Sequence, residues 1–180
     1  MQSIDDGLGY DVIHRALHWI LVVLVTGQFI AGLTMPDVDT IHTVEGAWLW
    51  HLALGPTIVF FAVLQLAWRI ARRVPLPSDL PPWQRLVARA THDTLGLLLI
   101  VIPILGWAAA SSNGLDPKLF GFITLPPIVP KKSALGDMAG EIHIVLVYVL
   151  LALILLHVAA ALYHYFVRRD RVMQRMVSGA

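Results

Sequence analysis

Cysteine is absent from the 180 residues, which excludes thiolate iron–sulfur ligation, c-type haem attachment through CxxCH, and any disulfide framework. Charge is nearly as scarce: Asp, Glu, Lys and Arg make up 14 % of the chain, against 57 % hydrophobic residues. An ordinary soluble domain carries about 25 % charged residues, so lipid is the expected solvent for most of this surface. No lysine or arginine occurs between Arg15 and Arg69, an interval long enough for two complete spans. A formal net charge of +1, with no basic tract interleaved with aromatics, gives nothing for nucleic acid to bind. No cleavable leader is read, because the first apolar run follows Asp5, Asp6 and Asp11 and is too long for a signal h-region. Internal repeats and low-complexity tracts are lacking too.

What is present is a set of apolar runs of membrane-spanning length. The expected fold is an all-α membrane protein, a four-transmembrane-helix bundle forming one domain over 1–180, with helices at about 12–35, 48–69, 91–111 and 141–168. Pro36 ends the first run, and the acidic connection of Asp37, Asp39 and Glu45 follows. A basic, proline-rich connection (Arg69 to Arg89) precedes the third span. A long loop from Ser111 to Glu141 carries Pro117, Pro126, Pro127 and Pro130 and reads as extended or turn-rich chain, not helix. Gly27, Gly32, Gly55, Gly96 and Gly106 lie in or beside the spans, where they suit close approach of a helix or of a flat ligand. Pro56 and Pro103 are potential kinks.

Cation placement orients the bundle. Arg15, the five arginines from Arg69 to Arg89, and the four of the C-terminal tail fall on one side; Lys118, Lys131 and Lys132 fall on the other. The positive-inside rule makes both termini cytoplasmic and the first and third loops periplasmic, in the inner membrane of a bacterium. Trp48, Trp50, Trp68 and Trp107 near span ends suit interfacial anchors.

Four histidines then stand out inside apolar spans: His18, His51, His143 and His157. Intramembrane histidines also serve proton relays and hydrogen bonds between helices, so one alone would say little. His143 and His157 are fourteen residues apart, a rise of about 21 Å and nearly four turns, so they project from almost one face. Topology matches depths: His18 with His157 on the cytoplasmic side, His51 with His143 on the periplasmic side. Each pair suits the two axial positions of one haem iron, a ligation that favours electron transfer over oxygen binding. Two separated two-ligand sites would be poor zinc sites.

The stretches YDVIHRALHW, WHLALGP, HDTLGLLLIVIPILGW and EIH…LLHVAAALYHYF resemble the bacterial cytochrome b561 family, in order and over nearly the whole chain. The resemblance implies four transmembrane helices holding two b haems, with ligands at His18, His51, His143 and His157. Some members are superoxide oxidases, taking electrons from superoxide at the periplasmic face and reducing ubiquinone; the resemblance implies the same activity here.

Beside that family pattern, His164 follows His157 by seven residues on the same face. It suits a hydrogen bond to a quinone headgroup, or equally an interfacial position among headgroups and water. His92 and Asp93 open the expected third helix on that side, suited to a quinone pocket or proton relay. Asp93 suits the helix dipole as well, and Thr91 a cap. Arg15, one turn before His18, is placed for haem propionates, with Arg69, Arg72 and Arg73 as secondary candidates; all four also suit topology-setting charge. Lys131 and Lys132, on a side poor in cations, suit attraction of superoxide or a merely solvated pair. His14 reads as interfacial and His42 as solvated in the first loop.

The leading expectation is a dihaem b-type oxidoreductase carrying electrons from periplasmic superoxide to ubiquinone. The alternative is a cytochrome b subunit that anchors a periplasmic dehydrogenase or hydrogenase and passes its electrons to quinone. The expected partners are membrane lipid, ubiquinone, superoxide and, under the alternative, a periplasmic redox protein.

Overall fold

A computed structural model describes residues 10–37, 43–72, 81–170 and 172–178. Helix α1 is Val12–Thr34, α2 Ala47–Arg72, α3 Pro82–Ser112 and α4 Ala134–Tyr163. All four helices are long and apolar enough to cross a membrane. Between α3 and α4 lies a small antiparallel hairpin, β1 (Lys118–Leu119) with β2 (Ile123–Thr124), paired Lys118 to Thr124 and Leu119 to Ile123. After α4 the chain makes a π-helical turn, His164–Arg168, and ends in the short helix α5, Gln174–Val177.

Local chemistry explains where the helices begin. The Asp11 carboxylate accepts from the backbone N–H of His14 at 2.8 Å, capping α1. Ser133 caps α4 by accepting from the N–H of Gly136 at 3.2 Å. Two boundaries differ from the apolar runs. Helix α3 starts at Pro82, well before the run near 91, because Pro81 and Pro82 supply a pre-set φ where no amide donor is needed. Helix α4 starts at Ala134 instead of 141, because the Ser133 cap and Asp137 in the first turn favour the helix outside the apolar stretch. At that start a side chain on Gly136 would place its Cβ 2.2 Å from Ser112 Cβ, so only glycine lets α4 approach the end of α3 this closely.

Helix α1 packs along α2 and α4 along α3, and the two layers meet through α2 and α3. Leu21 of α1 joins Ile58 and Ala62 of α2; Leu98 and Ile102 of α3 join Leu150 of α4; Trp48 and Leu52 of α2 join Ala110 of α3. The exposed residues along the spans stay apolar, as Val23, Leu97 and Leu155 illustrate. In lipid such faces gain nothing by turning inward, so the bundle depends on close packing and on hydrogen bonds between helices.

Candidate functional site

Helix α4 carries His143 near its start and His157 near its end, and each ring meets one from another helix. At the end that holds the termini, the ring centroids of His18 and His157 are 6.4 Å apart with planes crossed at 64°. At the opposite end His51 and His143 are 6.2 Å apart, crossed at 75°. A first-row metal sits about 2.0–2.1 Å from an imidazole nitrogen, hence about 3.2 Å from the ring centroid, so two rings sharing it lie about 6.4 Å apart. Both pairs therefore have the separation of imidazoles with one metal ion between them. Among the described residues no group of three or more His, Cys, Asp or Glu gathers as a metal site. The remaining ligands would have to come from the bound group itself, as a porphyrin's nitrogens do.

The outer pair is closely fitted. His143 Nδ1–H donates to the carbonyl of Ile102 at 2.8 Å, which leaves Nε2 with its lone pair. A Cβ on Gly106 would lie 2.9 Å from His143 Cε1, and one on Gly32 would lie 3.3 Å from His51 Cε1. These glycines therefore make room for the rings. The Gln28 amide lies 3.3 Å from His51 Nε2, while His51 Nδ1 is buried without a protein partner. A buried nitrogen left open in this way suits a ligand. Lys131 and Lys132 lie at this same end and are exposed. Lys131 lies against Gly114, and Lys132 adopts a positive φ of 54° with its N–H donated to Ser112 O at 2.9 Å.

The inner pair has more company. The His92 ring lies 5.3 Å from His157, closer than two rings sharing a metal, so it stands beside the pair. Space is open at Gly96, one turn further along α3, where a Cβ would meet nothing within 4 Å. Asp93 is not at a helix start, since α3 begins at Pro82; it pairs with Arg69 instead, and the dipole and Thr91-cap readings fall with that boundary. His14 lies in the first turn of α1, where the interfacial expectation put it. It is 4 % exposed and stacked on Tyr10 at 4.5 Å, because the Asp11 cap folds the preceding chain over its ring.

Arg15 engages the C-terminal tail, donating from Nη1 to Val177 O at 3.0 Å. Arg72 lies over the Trp68 ring at 4.8 Å. Arg73 and His42 lie outside the described residues. Desolvation pushes the Asp11 carboxyl up, but hydrogen bonds from His14 N–H and the Trp68 indole, with the Arg72 and His14 charges, outweigh it and hold the pKa below its ordinary value. His164 opens the π turn, and its Nδ1 lies 2.5 Å from Asp170 Oδ2, with Arg168 Nε 3.5 Å from the same oxygen. The wide turn and the left-handed Arg169 (φ 53°) bring Asp170 back to the ring. Reading the sequence missed Asp170 and Gln28. Each carried a signal: the lone acid among the tail arginines and the lone amide in an apolar run.

The prokaryotic cytochrome b561 family model matches residues 9–179. The chain belongs to the prokaryotic cytochrome b561 family. Its relatives include cytochrome b561 homolog 2 of Escherichia coli (strain K12), 32 % identical with 93 % of this chain and 90 % of the relative covered. Cytochrome b561 homolog 1 of the same organism is 27 % identical, with 89 % and 92 % covered. The probable superoxide oxidase CybB of Yersinia pestis is 25 % identical, with 93 % and 95 % covered. As a cytochrome b561 the chain is a haem b-binding, multi-pass bacterial membrane protein of electron transfer, and the paired imidazoles fit that cofactor.

Proposed function

We propose that this cytochrome is a dihaem superoxide:ubiquinone oxidoreductase, with 1–180 acting as one domain in the inner membrane. The observation that carries the reading is the two imidazole pairs built on one helix, separated by 6.4 and 6.2 Å and set at opposite ends of the bundle. His18 and His157 would hold one haem toward the cytoplasm, and His51 and His143 the other toward the periplasm. When bound, the haems supply reversible one-electron chemistry across the membrane. In the net reaction two superoxide anions each give up one electron and become dioxygen, while one quinone takes two electrons and two protons to become quinol.

The chain's own residues serve the terminals. Lys131 and Lys132 raise the local concentration of a small anion at the periplasmic face, an effect weakened by salt. His164, bonded to Asp170, and His92 hold protons for the quinone oxygens at the cytoplasmic end. Arg15, which donates to the Val177 carbonyl, holds α5 against the start of α1. The deciding experiment adds superoxide and a soluble ubiquinone to the purified protein and follows the b-type absorption band and quinol. Haem reduction by superoxide, with quinol formed, supports the reading. Haem reducible by quinol but untouched by superoxide would leave only an electron-transfer subunit.

A further inference from the structure

The hairpin between α3 and α4 reaches a depth that a surface loop would not. Phe120 at its tip donates its backbone N–H to Thr57 Oγ1 at 3.1 Å, and Thr57 in turn donates to Ala53 O at 2.8 Å. The Phe120 ring lies 5.1 Å from Phe60 and 6.5 Å from Phe61. Thr57 is ten residues inside α2, about 15 Å along the helix axis at about 1.5 Å per residue. It therefore lies about midway between Ala47 and Arg69, across an apolar layer about 30 Å thick.

Hydrocarbon admits non-helical backbone only where its polar groups are satisfied by protein. The tip meets that condition. Gly121 N–H donates to Lys118 O at 3.0 Å, Phe122 N–H to Leu119 O at 3.3 Å, and Leu125 N–H to Pro117 O at 2.9 Å. Thr57 takes the donor of Phe120, which the strand pairing leaves over. Residues 119–130 (LFGFITLPPIVP) contain no charge, and apart from Thr124 the side chains that face outward are apolar, with Phe122 74 % exposed. Phe120 holds a φ of 55°, an uncommon conformation for a bulky residue. Such a conformation persists where the surroundings over-determine it, as Thr57 and the two phenylalanines do here.

We infer that residues 117–125 form a re-entrant hairpin seated in the membrane, with Phe122 and Ile123 in contact with phospholipid acyl chains of the outer leaflet. Lys118 at its mouth lies beside Asp116 and Trp50 around a cavity of about 500 Å³ and reaches back toward the headgroups. The surface continues the lipid-facing wall of α2, so one apolar occupant covers both. This inference is independent of the proposed superoxide activity.

The absence of cysteine makes the test direct. Single-cysteine variants Phe122→Cys, Asp137→Cys (water-facing) and Val149→Cys (mid-span of α4) are labelled with a fluorophore in haem-loaded protein and reconstituted in phosphatidylcholine–phosphatidylglycerol vesicles. At position 122, aqueous iodide should quench at least about fivefold less than at 137, and phospholipid brominated in mid-chain should quench about as well as at 149. Iodide quenching at 122 equal to that at 137 would overturn the inference. Resistance to both quenchers would also overturn it, by showing cover from protein instead of lipid. In a Thr57→Val background, with the Phe120 donor left unmatched, iodide quenching at 122 should rise, and Thr57→Ser should restore protection. The b-type spectrum reports that each variant is folded.

Discussion

The two ends of the bundle hold imidazole pairs of nearly equal separation in unequal surroundings. At the end that holds His51 and His143 the rings are boxed by backbone: a carbonyl of α3 fixes His143, and two glycines stand against the imidazoles. At the end that holds His18 and His157 the pair has titratable side chains nearby, with His92 at 5.3 Å, His14 a turn away on α1, and His164 with Asp170 just past the end of α4. A tightly walled site suits fixed ligand geometry and a fixed potential. A site lined with proton carriers suits a reaction that consumes protons. On the proposed function, the difference marks where the chemistry would divide, electrons alone at one end and electrons with protons at the other.

The strongest test of that contrast removes a ligand. Replacing His51 or His143 with alanine should reduce haem content by pyridine haemochrome assay from about two per chain to about one, with the native b-type spectrum of the other haem retained. Loss of both haems from either variant would break the proposed pairing. Next in size is Gly106→Val, whose side chain must displace the His143 ring from 2.9 Å. Overpacking of this kind costs about 1–3 kcal/mol, and low-temperature spectra should lose the low-spin signal of one haem and keep that of the other.

Asp170→Asn should slow quinone reduction by about tenfold, while reduction of the haems by superoxide stays near wild type. Equal slowing of both half-reactions would erase the proposed division of labour. Replacing Lys131 and Lys132 together with glutamine should lower the superoxide rate about threefold at low ionic strength, with the difference closing by about 0.5 M salt. The smallest effect belongs to Asp11. Its folded-state pKa lies below the unfolded value, so its stabilisation is full above the unfolded value, near pH 4, and is lost as pH falls through the folded one. Thermal melts of Asp11→Asn and wild type should therefore differ at pH 7 and converge toward pH 3.

Much of this was legible in the chain itself. Apolar run length and the arginine-free interval from Arg15 to Arg69 pointed to four helices, and depth alone suggested partners for the four histidines. The boundaries of α3 and α4 were not legible, because Pro81–Pro82 and Ser133 start helices outside the hydrophobic stretches that marked the spans. That shift changed the surroundings of Asp93, which pairs with Arg69 on a neighbouring helix. The hairpin was hidden as well. The four prolines of the loop suggested turns, yet the depth of the hairpin depends on one hydroxyl of α2 more than sixty residues earlier, a contact no local pattern encodes.

Helix α4 supplies one imidazole to each pair and is the last of the four long helices in chain order. During synthesis, then, neither proposed pocket exists until the final hydrophobic segment has entered the bilayer. His18 and His51 must wait, each with an open partner position, while three helices are already inserted. Cofactor capture becomes the closing event of biogenesis, and a chain truncated before α4 would be a membrane protein without a place for either haem.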